Sequence, residues 1–220
     1  MSGGKTRILI VDDEFSIRTT LSLVLCEVGY SVTTAEDGLS ALTSLRREIP
    51  DFLICDLHMP GMSGFELSSI VRRRFPQLRT IVMSGAFQGN EVPCGVAADA
   101  FFQKGSSLAC LLKLIQSLQT EDGAISKPDS GASVPIWIQP SGYDRAGDAQ
   151  FTICCPDCLR AFPVACGGLE GSIRETTCAH CRSRIHYSVV PTIDRVSAPA
   201  PQRNRNVEML MPAKSSQYEN

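Results

Sequence analysis

The sequence predicts an α/β fold, a doubly wound five-stranded parallel sheet, followed by a small β-rich module organised by cysteines. Three observations predict it. Short apolar runs alternate with amphipathic helical stretches through the first half of the chain, which implies a parallel sheet covered on both sides. Phe52-Leu53-Ile54-Cys55 is apolar at four consecutive positions, as a strand buried on both faces requires, and it stops abruptly at Asp56. Six of the ten cysteines fall between Cys154 and Cys181.

The elements follow in order. Arg7-Ile8-Leu9-Ile10-Val11 reads as a buried strand ended by Asp12-Asp13-Glu14. A helix comes next, with Ile17, Leu21, Val24, Leu25 and Val28 at helical spacing and Gly29 as its stop. Ser31 to Ala35 is a second strand, and Asp37 to Glu48 a second helix closed by Pro50. After the third strand, Phe52 to Cys55, Met59-Pro60-Gly61 turns the chain and Ser63 is placed to cap a helix running from Phe65 to Phe75. Arg79 to Met83 and Ala100 to Gln103 are the last two strands, and Ser106 to Leu118 is the closing helix, with Leu108, Leu111, Leu112 and Ile115 on one face. Between those strands, Gly89, Pro93 and Gly95 interrupt what should be a fourth helix over Ala86 to Ala98, so a short or irregular one is expected. Arg72-Arg73-Arg74 reads as a solvated helix end, where cations suit the C-terminus.

Residues 1–120 therefore form the first domain. Residues 121–150 shift to Gly, Pro, Ser and Asp and read as a linker, apart from the apolar island Val134-Pro135-Ile136-Trp137-Ile138, which is suited to docking on a neighbouring surface. Residues 151–195 form the cysteine-bearing domain, and residues 196–220 read as a disordered tail. A net charge of −2 gives no global attraction to nucleic acid or acidic membranes. No apolar run reaches the length of a membrane span and the N-terminus lacks the apolar core of a secretory signal, so a cytoplasmic protein is expected. Cys26, Cys55, Cys94 and Cys110, mostly in apolar surroundings, are expected as buried free thiols.

Asp12 and Asp13 follow the first strand and Asp56 the third. In a doubly wound sheet these strands can be neighbours, which converges three carboxylates at the edge where open α/β sheets place their sites. Unneutralised, the carboxylates would repel one another, and Mg2+, a hard cation with oxygen ligands, is the natural partner. A plainer role for Asp12 or Asp13, capping the first helix, stays open from the pair alone.

The segment Asp56-Leu57-His58-Met59-Pro60-Gly61-Met62-Ser63-Gly64 closely resembles the phosphoacceptor segment of bacterial two-component response-regulator receiver domains, which have a flavodoxin-like fold. The resemblance places the phosphorylated aspartate at Asp56. It implies direct Mg2+ ligation by Asp13, Asp56 and the backbone carbonyl of His58, with Asp12 assisting. Ser84, in Val82-Met83-Ser84-Gly85-Ala86, matches the family's hydroxyl that hydrogen-bonds the phosphoryl group, and Lys104 matches the lysine that pairs with it. Ser84 and Phe101 are the switch residues by the same resemblance. Lys104 precedes Gly105 rather than the family's frequent proline, and the interrupted fourth helix puts the family's usual dimer mode in doubt.

In the second domain, Cys155-Pro156-Asp157-Cys158 and Cys178-Ala179-His180-Cys181 are separated by 19 residues. Two residues between cysteines let a tight turn bring both thiolates onto one tetrahedral Zn2+, and the module resembles zinc ribbons. Cys154 is an alternative first ligand, but Cys155 keeps the two-residue spacing. The glycine that often follows the second cysteine of such a knuckle is replaced by Leu159 and Arg182. Short strands are expected over Leu159 to Ala165, Ser172 to Thr176 and Arg184 to Val190. His180 and His186 are read as surface or supporting residues and Cys166 as a spare thiol.

Together these imply a response regulator that accepts a phosphoryl group on Asp56 from a sensor histidine kinase or phosphotransfer protein. It is not an enzyme on an external substrate, only an autocatalytic acceptor that also dephosphorylates itself. The expected output is protein binding by the zinc ribbon, anchored by exposed Tyr187, Ile185 or Phe162. A DNA-binding transcriptional regulator is the alternative. Residues 151–195 hold five arginines against four acids. Four thiolates around one divalent ion bring that segment to about −1, without the basic excess of a dedicated DNA binder.

Overall fold

The computed structural model describes residues 4–87, 96–120, 135–143, 145, 149–164 and 172–190. Five parallel strands form the first sheet, β1 (Arg7–Val11), β2 (Ser31–Ala35), β3 (Phe52–Asp56), β4 (Arg79–Ser84) and β5 (Ala100–Gln103), in the order β2-β1-β3-β4-β5. Helices α1 (Phe15–Val28) and α4 (Leu108–Thr120) cover one face, and α2 (Gly38–Arg47) and α3 (Gly64–Arg74) the other. Alternate residues of β1 show the division: Ile8 and Ile10 pack with Leu21, Leu25, Leu111 and Ile115, whereas Leu9 and Val11 pack with Leu42, Leu67 and Ile70. The doubly wound parallel fold is as the alternation of runs predicts.

Local chemistry sets the helix ends. Gly29 closes α1 in the left-handed region at φ 109. Asp37 caps α2 by accepting from the Ser40 N–H at 2.7 Å, and Ser63 caps α3 by accepting from the Glu66 N–H. Gly64 cannot be larger, because a Cβ there would fall on the carbonyl oxygen of Asp56. The start of α3 is thus pressed against the end of β3. Of the region expected to hold an irregular helix, Phe87 and residues 96–98 are non-helical, and 88–95 lie outside the described residues.

Two three-stranded sheets make the second domain, β10-β11-β6 and β7-β8-β9. Their strands are β6 (Ile136–Ile138), β7 (Gly142–Tyr143), β8 (Ala149–Cys154), β9 (Ala161–Val164), β10 (Arg174–Thr177) and β11 (Arg184–Val189). Two of them come from the segment read as linker: β6 pairs in parallel with β11, and β7 pairs with β8. The apolar island is therefore a structural strand. Its Trp137 N–H donates to Ser69 Oγ of α3 at 3.3 Å, and Ile136 and Ile138 are fully buried in a cluster that also holds Leu67, Ile70 and Val71.

Three further expectations are corrected. Phe162, Ile185 and Tyr187, expected as exposed anchors, are buried in that same cluster, where the alternation of β11 turns Ile185, Tyr187 and Val189 inward. Arg72 and Arg74 do not end in solvent: Arg72 pairs with Asp99 at 2.6 Å, and Arg74 donates to the carbonyls of Pro156 and Asp157 at 2.9 and 2.7 Å. Cys55 is buried as expected, but Cys26 and Cys110 are exposed. Cys94, Cys166 and the tail 196–220 lie outside the described residues, and no described helix is long and apolar enough to cross a membrane.

Candidate functional site

β1 and β3 are neighbours, so the residues that end them meet. Carboxylate oxygens of Asp12, Asp13 and Asp56 lie within 4.8 Å of one another. Asp12 has two roles. Its Oδ1 accepts from the Glu14 N–H at 2.9 Å, organising the entry to α1, while its Oδ2 lies 2.8 Å from Lys104 Nζ. The same ammonium lies 3.0 Å from Asp56 Oδ2. Burial pushes the Asp12 carboxyl above its usual range against the pull of Lys104. Burial would lower Lys104, but hydrogen bonds to Asp12 and Asp56 outweigh it and hold the ammonium above its usual value. One lysine facing three acids leaves the cluster net negative and rich in hard oxygen donors, the donor set that suits Mg2+.

Lys104 reaches this position because its backbone N–H donates to the Ser84 carbonyl at 2.9 Å and Gly105 then turns at φ 91. Ser84 ends β4 beside Asp56, which pairs with Met83. Its hydroxyl accepts from the Ala86 N–H at 3.1 Å and lies 3.2 Å from His58 Nδ1. Phe101 is buried with Leu57, Phe65, Val82 and Val190. The structure thus gathers Asp12, Asp13, Asp56 and Lys104 tightly, with Ser84 and His58 alongside and Phe101 one layer deeper.

The second site lies between two similar knuckles. Sγ atoms of Cys155, Cys158, Cys178 and Cys181 all lie within 4.8 Å of one another, with Cys155–Cys181 at 3.6 Å and Cys158–Cys178 at 3.7 Å. A tetrahedron of Zn–S bonds has edges of about 3.8 Å, whereas a disulfide would need about 2 Å. The donor set fits zinc. Cys154 is outside the cluster: it ends β8, and its N–H donates to Glu66 Oε1 at 2.6 Å. Burial pushes the Cys155 thiol well up, while hydrogen bonding with the Ser183 side chain and backbone pulls Cys181 down to about 6. A central dication would hold both as thiolates.

The knuckle turns repeat each other. Leu159 N–H donates to the Cys155 carbonyl and Arg182 N–H to that of Cys178, at 2.8 and 3.0 Å. Leu159 and Arg182 adopt φ 56 and 62, the left-handed conformation a glycine would supply. The missing glycines therefore leave the turn geometry intact at a cost of about 1–2 kcal/mol each. His180 and His186 stand outside the thiol cluster, near the Ala161 carbonyl and Glu175 respectively.

Sequence reasoning missed four contributors: the His58 ring, Phe87, Glu66 and Arg74. Ser63-x-x-Glu66 reads as a helix capping box, yet the Glu66 side chain leaves its own helix for β8. Nothing in the sequence signals that choice.

Comparison with known proteins agrees with the geometry. Residues 8–116 match the family model of the response regulator receiver domain. The chain is 29% identical over 136 residues to the probable transcriptional regulatory protein TcrX of Mycobacterium tuberculosis, covering 61% of this chain and 58% of that protein. It is 43% identical over 75 residues to the DNA-binding transcriptional regulator NtrC of Klebsiella pneumoniae, covering 34% of this chain and 16% of that one. The chain thus spans under two thirds of the length of these relatives. Among solved structures, the response regulator TrrA of Thermotoga maritima is 33% identical, covering 51% of this chain and 98% of that one, with a TM-score of 0.48. Through residues 8–116, the chain belongs to the response regulator receiver family.

Proposed function

We propose that this chain is a two-component response regulator whose Asp56 accepts a phosphoryl group from a sensor histidine kinase or phosphotransfer protein. The observation that carries the reading is Lys104 Nζ held between Asp12 and Asp56 at 2.8 and 3.0 Å, beside a third carboxylate. A carboxylate oxygen of Asp56 attacks phosphorus, the donor's P–N bond breaks, and an acyl phosphate forms. Lys104 moves with the new charge, and the Ser84 hydroxyl donates to a phosphoryl oxygen. Asp13, Asp56 and the His58 carbonyl, with Asp12, would hold Mg2+, which neutralises charge during transfer. No external substrate is turned over, and the protein works in the cytoplasm.

The second domain is the output, a zinc ribbon held by Cys155, Cys158, Cys178 and Cys181 that binds a protein partner. With Phe162, Ile185 and Tyr187 buried, the large exposed apolar residues among its described residues are Tyr143 and Ile173, 71% and 64% exposed. A DNA-binding output is the second reading, favoured by exposed Arg160, Arg182 and Arg184 near the knuckles. The test incubates the full chain with a small-molecule phosphodonor and Mg2+. One base-labile acyl phosphate should form and vanish in Asp56→Ala; labelling of that variant at a similar rate would refute the assignment. A shift assay near physiological salt separates the outputs, because specific DNA binders typically reach nanomolar affinity or better.

A further inference from the structure

The exposed ring of His58 lies beside the phosphoacceptor site. Its Nδ1 is 3.2 Å from Ser84 Oγ. One of that oxygen's lone pairs accepts from the Ala86 N–H, and toward an imidazole protonated at Nε2 the hydroxyl gives its single proton to Nδ1. The ring also stacks on Phe87, with centroids 5.9 Å apart and planes 23° from parallel, and meets Phe65 edge-on. Phe87 in turn meets Phe101 edge-on at 6.4 Å. Phe101 packs with Val190, and Trp137 of β6 packs on the same cluster. An unbroken line of rings and apolar side chains therefore runs from the Ser84 hydroxyl to β6 and the end of β11.

We propose that His58, protonated at Nε2, is a positioning residue that latches Ser84 in the unphosphorylated state, and that release of the latch is passed through Phe87 and Phe101 to Trp137 in the output domain. The proposal rests on the phosphoacceptor reading above. A phosphoryl group on Asp56 needs the Ser84 hydroxyl as a donor, and the hydroxyl carries one proton. Engaging the phosphoryl group therefore means leaving His58. The freed imidazole shifts on the half-buried Phe87, and Phe87 passes the shift to buried Phe101, whose packed surroundings have few intermediate arrangements. His58 acts through Ser84 and touches no reacting atom with its side chain.

The test titrates the full chain with the phosphoryl mimic beryllofluoride at fixed Mg2+. Calorimetry reads binding, and the emission of Trp137, the chain's one tryptophan, reads coupling. The wild type should bind and change its emission. His58→Phe removes Nδ1 and keeps a ring against Phe87, so binding should tighten roughly 2- to 10-fold, the worth of one net hydrogen bond. In a Ser84→Ala background the same substitution should bring no tightening, an outcome that a merely structural role would not give. Phe87→Ala should still bind the mimic but lose at least two thirds of the emission change. Equal or weaker binding by His58→Phe, or tightening that survives Ser84→Ala, overturns the latch. A full emission change in Phe87→Ala, or none in a wild type that binds, overturns the relay. A wild type that binds no beryllofluoride overturns the phosphoacceptor reading itself, and the latch with it.

Discussion

Helices α1 and α3 flank the same sheet from opposite faces and are used in opposite ways. α1 buries only Leu21 and Leu25, and leaves Phe15 73% and Leu23 67% exposed. α3 buries eight consecutive residues, Gly64 to Val71. A helix with one solvated face shows an apolar stripe, whereas a helix buried all round must satisfy every polar group it carries. α3 does so through the second domain. Glu66 accepts from the Cys154 N–H, Ser69 accepts from the Trp137 N–H and donates to the Phe65 carbonyl, and Arg74 donates to two carbonyls of the first knuckle. The second domain is thus a wall of the first, and its core is continuous with the α2/α3 face of the sheet.

The largest test of that contrast is metal removal. Structural Zn2+ contributes on the order of 10 kcal/mol or more to such modules. Elemental analysis should find one zinc per chain, and chelation should unfold β8 to β11. If the domains had separate cores, the receiver would be untouched. With a continuous core, chelation should also lower the receiver's own melting temperature, measured by calorimetry on the zinc-loaded and stripped chains.

Next comes a pair of truncations. Ile138→Ala, at a fully buried β6 position against α3, should cost about 2–4 kcal/mol. Leu23→Ala on exposed α1 should stay within about 0.5 kcal/mol. Denaturant unfolding of both variants checks the pair, and equal costs would erase the distinction between the two faces.

Glu66 sharpens it through pH. Burial raises its carboxyl from 4.5 to about 8, against the pull of the Cys154 N–H. The folded state therefore binds this proton more tightly than the unfolded state. Its contribution to stability is complete below pH 4.5 and is lost as pH rises through about 8. Glu66→Gln keeps an acceptor for the Cys154 N–H and carries no charge. The gap in melting temperature between variant and wild type should widen from pH 5 to about pH 8 and then level off, and a constant gap would remove Glu66 from the interface energetics.

The smallest effect concerns the knuckles. Arg182→Gly relieves a left-handed residue at φ 62 and should stabilise the zinc-bound module by about 1 kcal/mol. Gly64→Ala in the first domain has the opposite sign and a larger size, because a Cβ there would fall on the Asp56 carbonyl oxygen and displace the start of α3. Thermal melts of the two variants give the signs.

How much of this was legible in sequence follows the range of the interactions. Strand and helix positions in the first domain were readable because apolar runs and cap residues such as Asp37 and Ser63 act within a few positions. Asp12, Asp13 and Asp56 were readable because each ends a strand of a predictable sheet. Cys155 could be preferred over Cys154 because its spacing is itself the knuckle geometry. The docking of the second domain was not readable. Glu66 and Ser69 look like a solvated helix face, and their partners Cys154 and Trp137 lie far along the chain, so no local pattern distinguishes water from β8 and β6 as their company. Strand β6 was recognisable as apolar but not as a parallel partner of β11, a pairing across about fifty residues. The exposed reading of Tyr187 failed for the same reason, since alternation along β11 fixes which residues share a face and not which face is covered.

Hydrogen exchange along α3 tests the shared helix most directly. Backbone amides of residues 64–74 would be followed by mass spectrometry in the zinc-loaded chain and after chelation, with peptides covering α1 and β1 as internal references. A helix shared between two walls should lose protection when the metal is removed, by at least tenfold in exchange rate, while β1 keeps its own. Unchanged protection of α3 after the module has lost its zinc and its strands would contradict the account.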